Sequence, residues 1–227
     1  MIKLFLATGI MAFFFVGCFQ LREGNLGNSQ NKRILILGNS ITYHAPKPSI
    51  GWKGDWGMAA SSEEKDYVHL LIEKFKGKNK QSQIKYANIV SSFEGRFWLP
   101  DWQGLKEFRE YEPDVLIVRL GDNVNLDSLG KYRLSEALKD LVDYVAADKK
   151  VDVFISSTFW PNPRVNEQIR NVSEENSWNY VELTSIPAAQ ETMAIGKFSN
   201  NAVAIHPSDI GMSRIADALW AVLKERL

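Results

Sequence analysis

Short, uninterrupted apolar runs set between helical stripes constrain this chain more than any other feature. Ile34-Leu35-Ile36-Leu37 and Val115-Leu116-Ile117-Val118 are such runs, and 151–157, with Val153-Phe154-Ile155 at its centre, reads as another strand. A run with no polar alternation suits a strand buried on both faces, as in a parallel sheet covered by helices. Segments 84–90 and 180–183 read as two further strands. Between them, Val68, Leu71, Ile72 and Phe75 recur at helical spacing, with Ser61 and Glu64 as a capping box and Gly77 as the stop. Segment 105–111 reads as a short helix and 164–177 as a polar one. Leu134, Leu138, Leu141 and Val145 mark another helix, and Met212, Ile215, Leu219 and Val222 a closing one. Strands alternating with helices predict an α/β fold, a three-layer α/β/α sandwich around a central parallel five-stranded sheet.

The 227 residues suit one full-sized domain. Basic and acidic residues balance at 27 each, so no strong field points to nucleic acid or an acidic membrane surface. The N-terminus reads as an export signal: Lys3 precedes an apolar run from Leu4 to Val16, too short for a comfortable membrane span. The run ends in Phe15-Val16-Gly17-Cys18, and Cys18 is the single cysteine of the chain. This ending resembles the lipobox of bacterial lipoproteins, which implies lipidation of Cys18 and an extracytoplasmic, membrane-anchored protein; plain secretion, with the cysteine in an ordinary signal peptide, is the alternative. The expected organisation is a lipoprotein-type signal peptide at 1–18, a flexible tether at 19–31 rich in Gly, Asn, Ser and Gln, and a folded domain at 32–227.

The first apolar run ends in Gly38-Asn39-Ser40. A serine held where a buried strand turns has an exposed hydroxyl and little freedom, which suits a nucleophile if a base can reach it; otherwise it caps a helix. Gly121-Asp122-Asn123 follows the third strand, and His206-Pro207-Ser208-Asp209 precedes the closing helix. Sites in parallel sheets gather at the carboxyl ends of strands, where Ser40, Asn123 and the loop after Val90 all fall.

In order and context these three blocks resemble those of the SGNH (GDSL-like) hydrolase superfamily, over Arg33 to Leu227. The resemblance implies a flavodoxin-like strand order and hydrolysis of carboxylic esters, with Ser40 as nucleophile and His206 as base. It implies an oxyanion hole from the Ser40 N–H, the Asn123 side chain and a glycine N–H after the second strand. Gly95 is the one glycine in 88–95, at an unusual offset, and Ser92 is its alternative. Members of the family carry an aspartate three residues before the base, where this chain has Val203. A Ser–His dyad is the favoured reading. Asp122, Glu182 and Asp209 are the candidates for a carboxylate reaching His206 from elsewhere, although Asp209 also suits a helix cap.

Of the other histidines, His69 reads as structural and His44 as lining a pocket. Trp52 and Trp56 lie in a Gly-rich insertion after the nucleophile, Trp98 after the second strand and Trp160 after the fourth. Such rings either hold a sugar or acyl chain at the site or pack long loops. No P-loop, cysteine set or His–Glu cluster is present, so no cofactor or metal is expected. The expected substrate is a short-chain acyl ester, such as an O-acetyl group on carbohydrate. Hydrolysis of longer acyl chains is the alternative within enzymes, and a catalytically inactive carbohydrate-binding lipoprotein the alternative outside them.

Overall fold

The computed structural model describes residues 32–78 and 81–226. The expected signal peptide, tether and Cys18 lie outside the described residues. In chain order the elements are β1 (Arg33–Gly38), α1 (Tyr67–Lys78), β2 (Gln83–Asn88), α2 (Lys106–Glu110), β3 (Val115–Val118), α3 (Leu126–Leu129), α4 (Leu134–Ala146), β4 (Asp152–Ser156), α5 (Pro163–Glu175), β5 (Asn179–Val181), α6 (Asn201–Ala204) and α7 (Asp209–Leu223). The strands form one parallel sheet in the order β2-β1-β3-β4-β5.

Successive strand side chains point to opposite faces, so each apolar run feeds two cores. Leu35, Leu37, Leu116, Val118, Val153 and Ile155 pack against α2, α4 and α5. Ile34, Ile36, Val115, Ile117 and Phe154 pack against α1 and α7 on the other face. The α/β/α sandwich read from the apolar runs is therefore present, with helices on both sides. No helix among the described residues is long and apolar enough to cross a membrane.

The start of α1 differs from the expected capping box. The Ser61 hydroxyl and N–H both donate to Asp209, at 2.7 and 2.8 Å. The cap is Asp66, whose carboxylate accepts the His69 N–H at 2.8 Å and the Gly57 N–H at 2.9 Å. Gly77 lies inside α1 rather than ending it. His69 also bonds Asp66 through its ring, at 2.9 Å, which is the structural role expected of it.

In the order 2-1-3-4-5, connections from β1 and β3 leave toward opposite faces, which opens a crevice beyond their carboxyl ends. Gly38-Asn39-Ser40 and Gly121-Asp122-Asn123 are the two loops that flank this crevice.

Candidate active site

Beyond β1 the chain turns at once. The Thr42 and Tyr43 N–H groups donate to the Asn39 carbonyl at 2.9 and 3.0 Å. A Cβ on Gly38 would lie 1.9 Å from Thr42 Oγ1, so only glycine permits this turn. Ser40 sits half-buried on it, with its carbonyl accepting the Met58 N–H at 2.9 Å.

From the other end of the chain, α6 and the start of α7 deliver His206. Ser208 is the N-cap of α7, accepting the Gly211 N–H, and its own hydroxyl donates to the Glu191 carbonyl. This braced corner places His206 Nε2 2.8 Å from Ser40 Oγ, across 166 residues of sequence. The ring of Trp160 meets the imidazole edge-on, with centroids 5.2 Å apart, and its indole N–H donates to the Ile205 carbonyl at 3.3 Å. Burial pushes the His206 pKa down to about 4. The Arg119 guanidinium adds to this, while the Ala202 backbone and Asp122 oppose it. The ring is thus neutral near pH 7, as a proton acceptor must be.

None of the three candidate acids reaches His206, whose Nδ1 has no hydrogen-bond partner among the described residues. The Ala202 backbone favours the charged ring without completing a hydrogen bond to that nitrogen. Asp122 is spent elsewhere. One oxygen takes the Phe159 and Trp160 N–H groups at 2.8 and 3.2 Å, the other takes Arg119 Nη2 at 2.8 Å and Asn39 Nδ2 at 3.2 Å. Glu182 accepts from Ser157, Thr184, Tyr180 and Arg170, and Asp209 holds Ser61. Val203, at the position of the family aspartate, is fully buried beside Trp52, Met58 and Ala194.

A cleft of about 610 Å³ opens over Ser40 and His206, within the range of small-molecule sites. Ala45, Ile50, Met58, Val90 and Ala202 give it an apolar wall, and Tyr43, His44, Asn88, Ser91 and Asn123 supply polar groups. His44 therefore lines the cleft as expected. Gly95 does not: its N–H donates to the Val90 carbonyl at 2.8 Å, closing a local turn. The loop bends back on itself here, and Ser91 faces the cleft where Gly95 or Ser92 was expected. No hydrogen bond among the described residues engages the N–H of Ser40 or of Ser91.

Of the expected pocket aromatics, Trp160 is the one whose ring meets His206 among the described residues. Trp52 is 2% exposed and packs edge-on against Trp56, 5.7 Å between ring centroids. Their indole N–H groups donate to the His44 and Ala60 carbonyls, both at 2.9 Å. They hold the insertion together rather than facing substrate. Trp98 stacks on Tyr132 in a separate groove.

Two buried charges escaped the sequence reading. Arg119, fully buried, pairs with Asp122 and also donates to Asn39 Oδ1. Glu94, 1% exposed, accepts the Gly121 N–H, the Asn123 N–H at 3.1 Å, Asn123 Nδ2 at 2.9 Å and Asn39 Nδ2 at 3.4 Å. Burial and the nearby Asp122 push the Glu94 pKa up, and these donors oppose the shift. The signal for both residues was a charge set in an apolar context: Glu94 between Phe93 and Phe97, Arg119 between Val118 and Leu120.

No family model matches the chain. None of the curated proteins matches it either. Solved structures do. One is a two-domain esterase active on acetylated mannans, co-crystallized with mannopentaose, at TM-score 0.57 and 19% identity. The match covers 86% of this chain and 49% of that one, so this chain spans about half the esterase's length. A chain named as a GDSL-like lipase from Parabacteroides merdae matches at TM-score 0.56 and 19% identity, over 86% of this chain and 96% of that one. Another of that name from Bacteroides ovatus matches at TM-score 0.53 and 15% identity, over 86% and 99%. The fold is that of the SGNH/GDSL hydrolases.

Proposed function

We propose that the chain is a serine ester hydrolase that works through an acyl-enzyme with a Ser40–His206 dyad. The observation that carries this is the 2.8 Å contact between Ser40 Oγ and His206 Nε2 at the floor of a cleft, on a hydrolase fold. His206 Nε2 takes the Ser40 proton as Oγ attacks the ester carbonyl. The negative oxygen of the tetrahedral intermediate is held by the Ser40 and Ser91 N–H groups and the Asn123 amide. His206 then returns the proton to the leaving alcohol, and water repeats the sequence on the acyl group. No carboxylate among the described residues hydrogen-bonds His206, so its ring orientation falls to Trp160, and its charge is favoured by the Ala202 backbone and, without contact, by Asp122.

The substrate class is a short acyl ester, with O-acetyl groups on carbohydrate as first choice. The esterase active on acetylated mannans supports this through its likeness in fold, and the open polar side of the cleft, with Tyr43, His44 and Asn88, suits sugar hydroxyls. The apolar wall of Ile50, Met58 and Val90 favours a second reading, hydrolysis of longer acyl chains. The export signal and Cys18 support an anchored, extracytoplasmic enzyme, with lipid as its sole membrane contact.

The test is turnover on p-nitrophenyl esters from acetate to laurate and on acetylated mannan oligosaccharides, with Ser40→Ala as control. Acetate preference and acetate release from the oligosaccharide are expected. Preference for long chains would move the second reading forward. No turnover on any ester by the folded protein overturns the proposal.

A further inference from the structure

We infer that Glu94 is a positioning residue for the oxyanion site, acting through Asn123; this rests on the ester-hydrolase reading above. Four donors surround the Glu94 carboxylate: the Asn39 amide, the Gly121 N–H, and both the backbone and the side-chain nitrogen of Asn123. It accepts from all of them and has nothing to donate to. Two of the four belong to Asn123. With Nδ2 held at 2.9 Å and the backbone N–H at 3.1 Å, the Asn123 side chain is tied to one carboxylate at both its root and its tip. One Nδ2 proton goes to Glu94, and the second is left for the cleft that Asn123 lines.

The same carboxylate reaches the nucleophile loop. Asn39 immediately precedes Ser40, and its amide bridges Glu94 and Asp122 while its oxygen takes the Ile41 N–H at 3.2 Å. Glu94 is therefore the group that sets the distance between the Ser40 N–H and the Asn123 amide, the two parts of the site that come from different loops. Donors aimed at an oxyanion act through such preorganisation, and about 10²–10³ in kcat is lost when one is removed.

Glu94→Gln is the discriminating variant because it keeps shape and burial. Glutamine has one acceptor oxygen and one NH₂ group, so its NH₂ must face a donor. The clash is relieved if the Asn123 amide rotates and turns its oxygen toward the introduced NH₂, which takes Nδ2 off its present direction.

The experiment measures kcat and KM on p-nitrophenyl acetate, with thermal melting, for the parent, Glu94→Gln, Glu94→Asp, Asn123→Ala and the Glu94→Gln/Asn123→Ala double variant. The inference expects kcat to fall about 100- to 1,000-fold in Glu94→Gln, as for loss of one oxyanion donor, with KM changed less than about threefold. Adding Glu94→Gln to Asn123→Ala then costs little more, because both remove the same interaction. A Glu94→Gln protein that is folded and within about twofold of parent kcat overturns it. So do effects that multiply in the double variant. If Glu94→Gln does not fold, Glu94→Asp, which keeps the charge but shortens its reach, carries the same comparison in both backgrounds. An inactive parent overturns the ester-hydrolase reading, and the inference with it; an active parent with an indifferent Glu94 overturns the inference alone.

Discussion

Asp122 forms a fully buried ion pair with Arg119 at 2.8 Å and so leaves His206 without a carboxylate. Each Asp122 oxygen already takes two donors, which also ties the loop after β4 to the nucleophile loop. Asp122 serves the scaffold of the site, and the proposed base, His206, has no carboxylate partner among the described residues.

This predicts an acid limb of kcat/KM near pH 4, where burial has moved His206, rather than near 6.5. The sign for stability follows. A histidine with a depressed folded pKa binds its proton more readily when unfolded, so stability is intact above pH 6.5 and falls between 6.5 and 4. A pH–rate profile on p-nitrophenyl acetate checks the first part, and melting across pH 4–7 in His206→Ala against parent checks the second. A limb near 6.5 contradicts the assignment.

Arg119→Met removes one partner of a buried pair and strands Asp122. A loss of about 3–5 kcal/mol in urea unfolding is expected, beyond what a surface ion pair costs. Nε and Nη1 of Arg119 lack partners among the described residues, so the ionic contact through Nη2 carries the effect. A change within about 0.5 kcal/mol, typical of surface sites, would contradict it.

Glu182→Gln and Asp209→Asn should each leave kcat within about twofold of parent, since neither carboxylate reaches His206. Glu182 does act on stability: burial pushes its pKa up, but hydrogen bonds from Thr184, Ser157 and Tyr180 together outweigh this and bring it to about 2, so its contribution is present above the usual carboxylate range and lost as pH falls from 4.5 toward 2. Loss of kcat in either variant would mean that a carboxylate does orient the base.

Gly121 carries φ +124°, and a Cβ there would lie 2.8 Å from Thr158 Cγ2. Gly121→Ala is expected to cost about 1–3 kcal/mol through backbone strain. It should also lower kcat, because the Gly121 N–H is one of the Glu94 contacts. Normal melting with normal kcat would contradict both.

Trp52→Ala is expected to cost about 3–5 kcal/mol, as for a large buried ring, and to show in melting before it shows in KM. A raised KM with unchanged melting would return Trp52 to the substrate side.

The fold was legible because β1, β3 and β4 centre on apolar runs buried on both faces, and because helical stripes separate the strands. Boundaries moved by a few residues. The second strand stops at Asn88, whose side chain leaves the ladder to donate to the Tyr43 carbonyl. The fifth is Asn179–Val181, two of its three residues only partly buried at the sheet edge. That Ser40, His206 and Asn123 would meet at one cleft was legible from motif order. Gly95 was not rightly placed, because its role depended on where a loop bends, which its local N–H to Val90 contact decides. Tryptophan at a site and tryptophan in a packed loop have the same sequence signature; burial separates them, leaving Trp160 beside the base and Trp52 in a core. Glu94 and Arg119 stand in the sequence as charges beside apolar residues, but their partners are read only in three dimensions, where the loops carrying them meet.

The most direct test of a Ser40–His206 dyad is labelling of the purified protein with a fluorophosphonate probe, with the labelled residue mapped by mass spectrometry. The account predicts one adduct on Ser40, absent in Ser40→Ala and strongly slowed in His206→Ala. A folded protein that takes up no label, or labels at another serine, would contradict it.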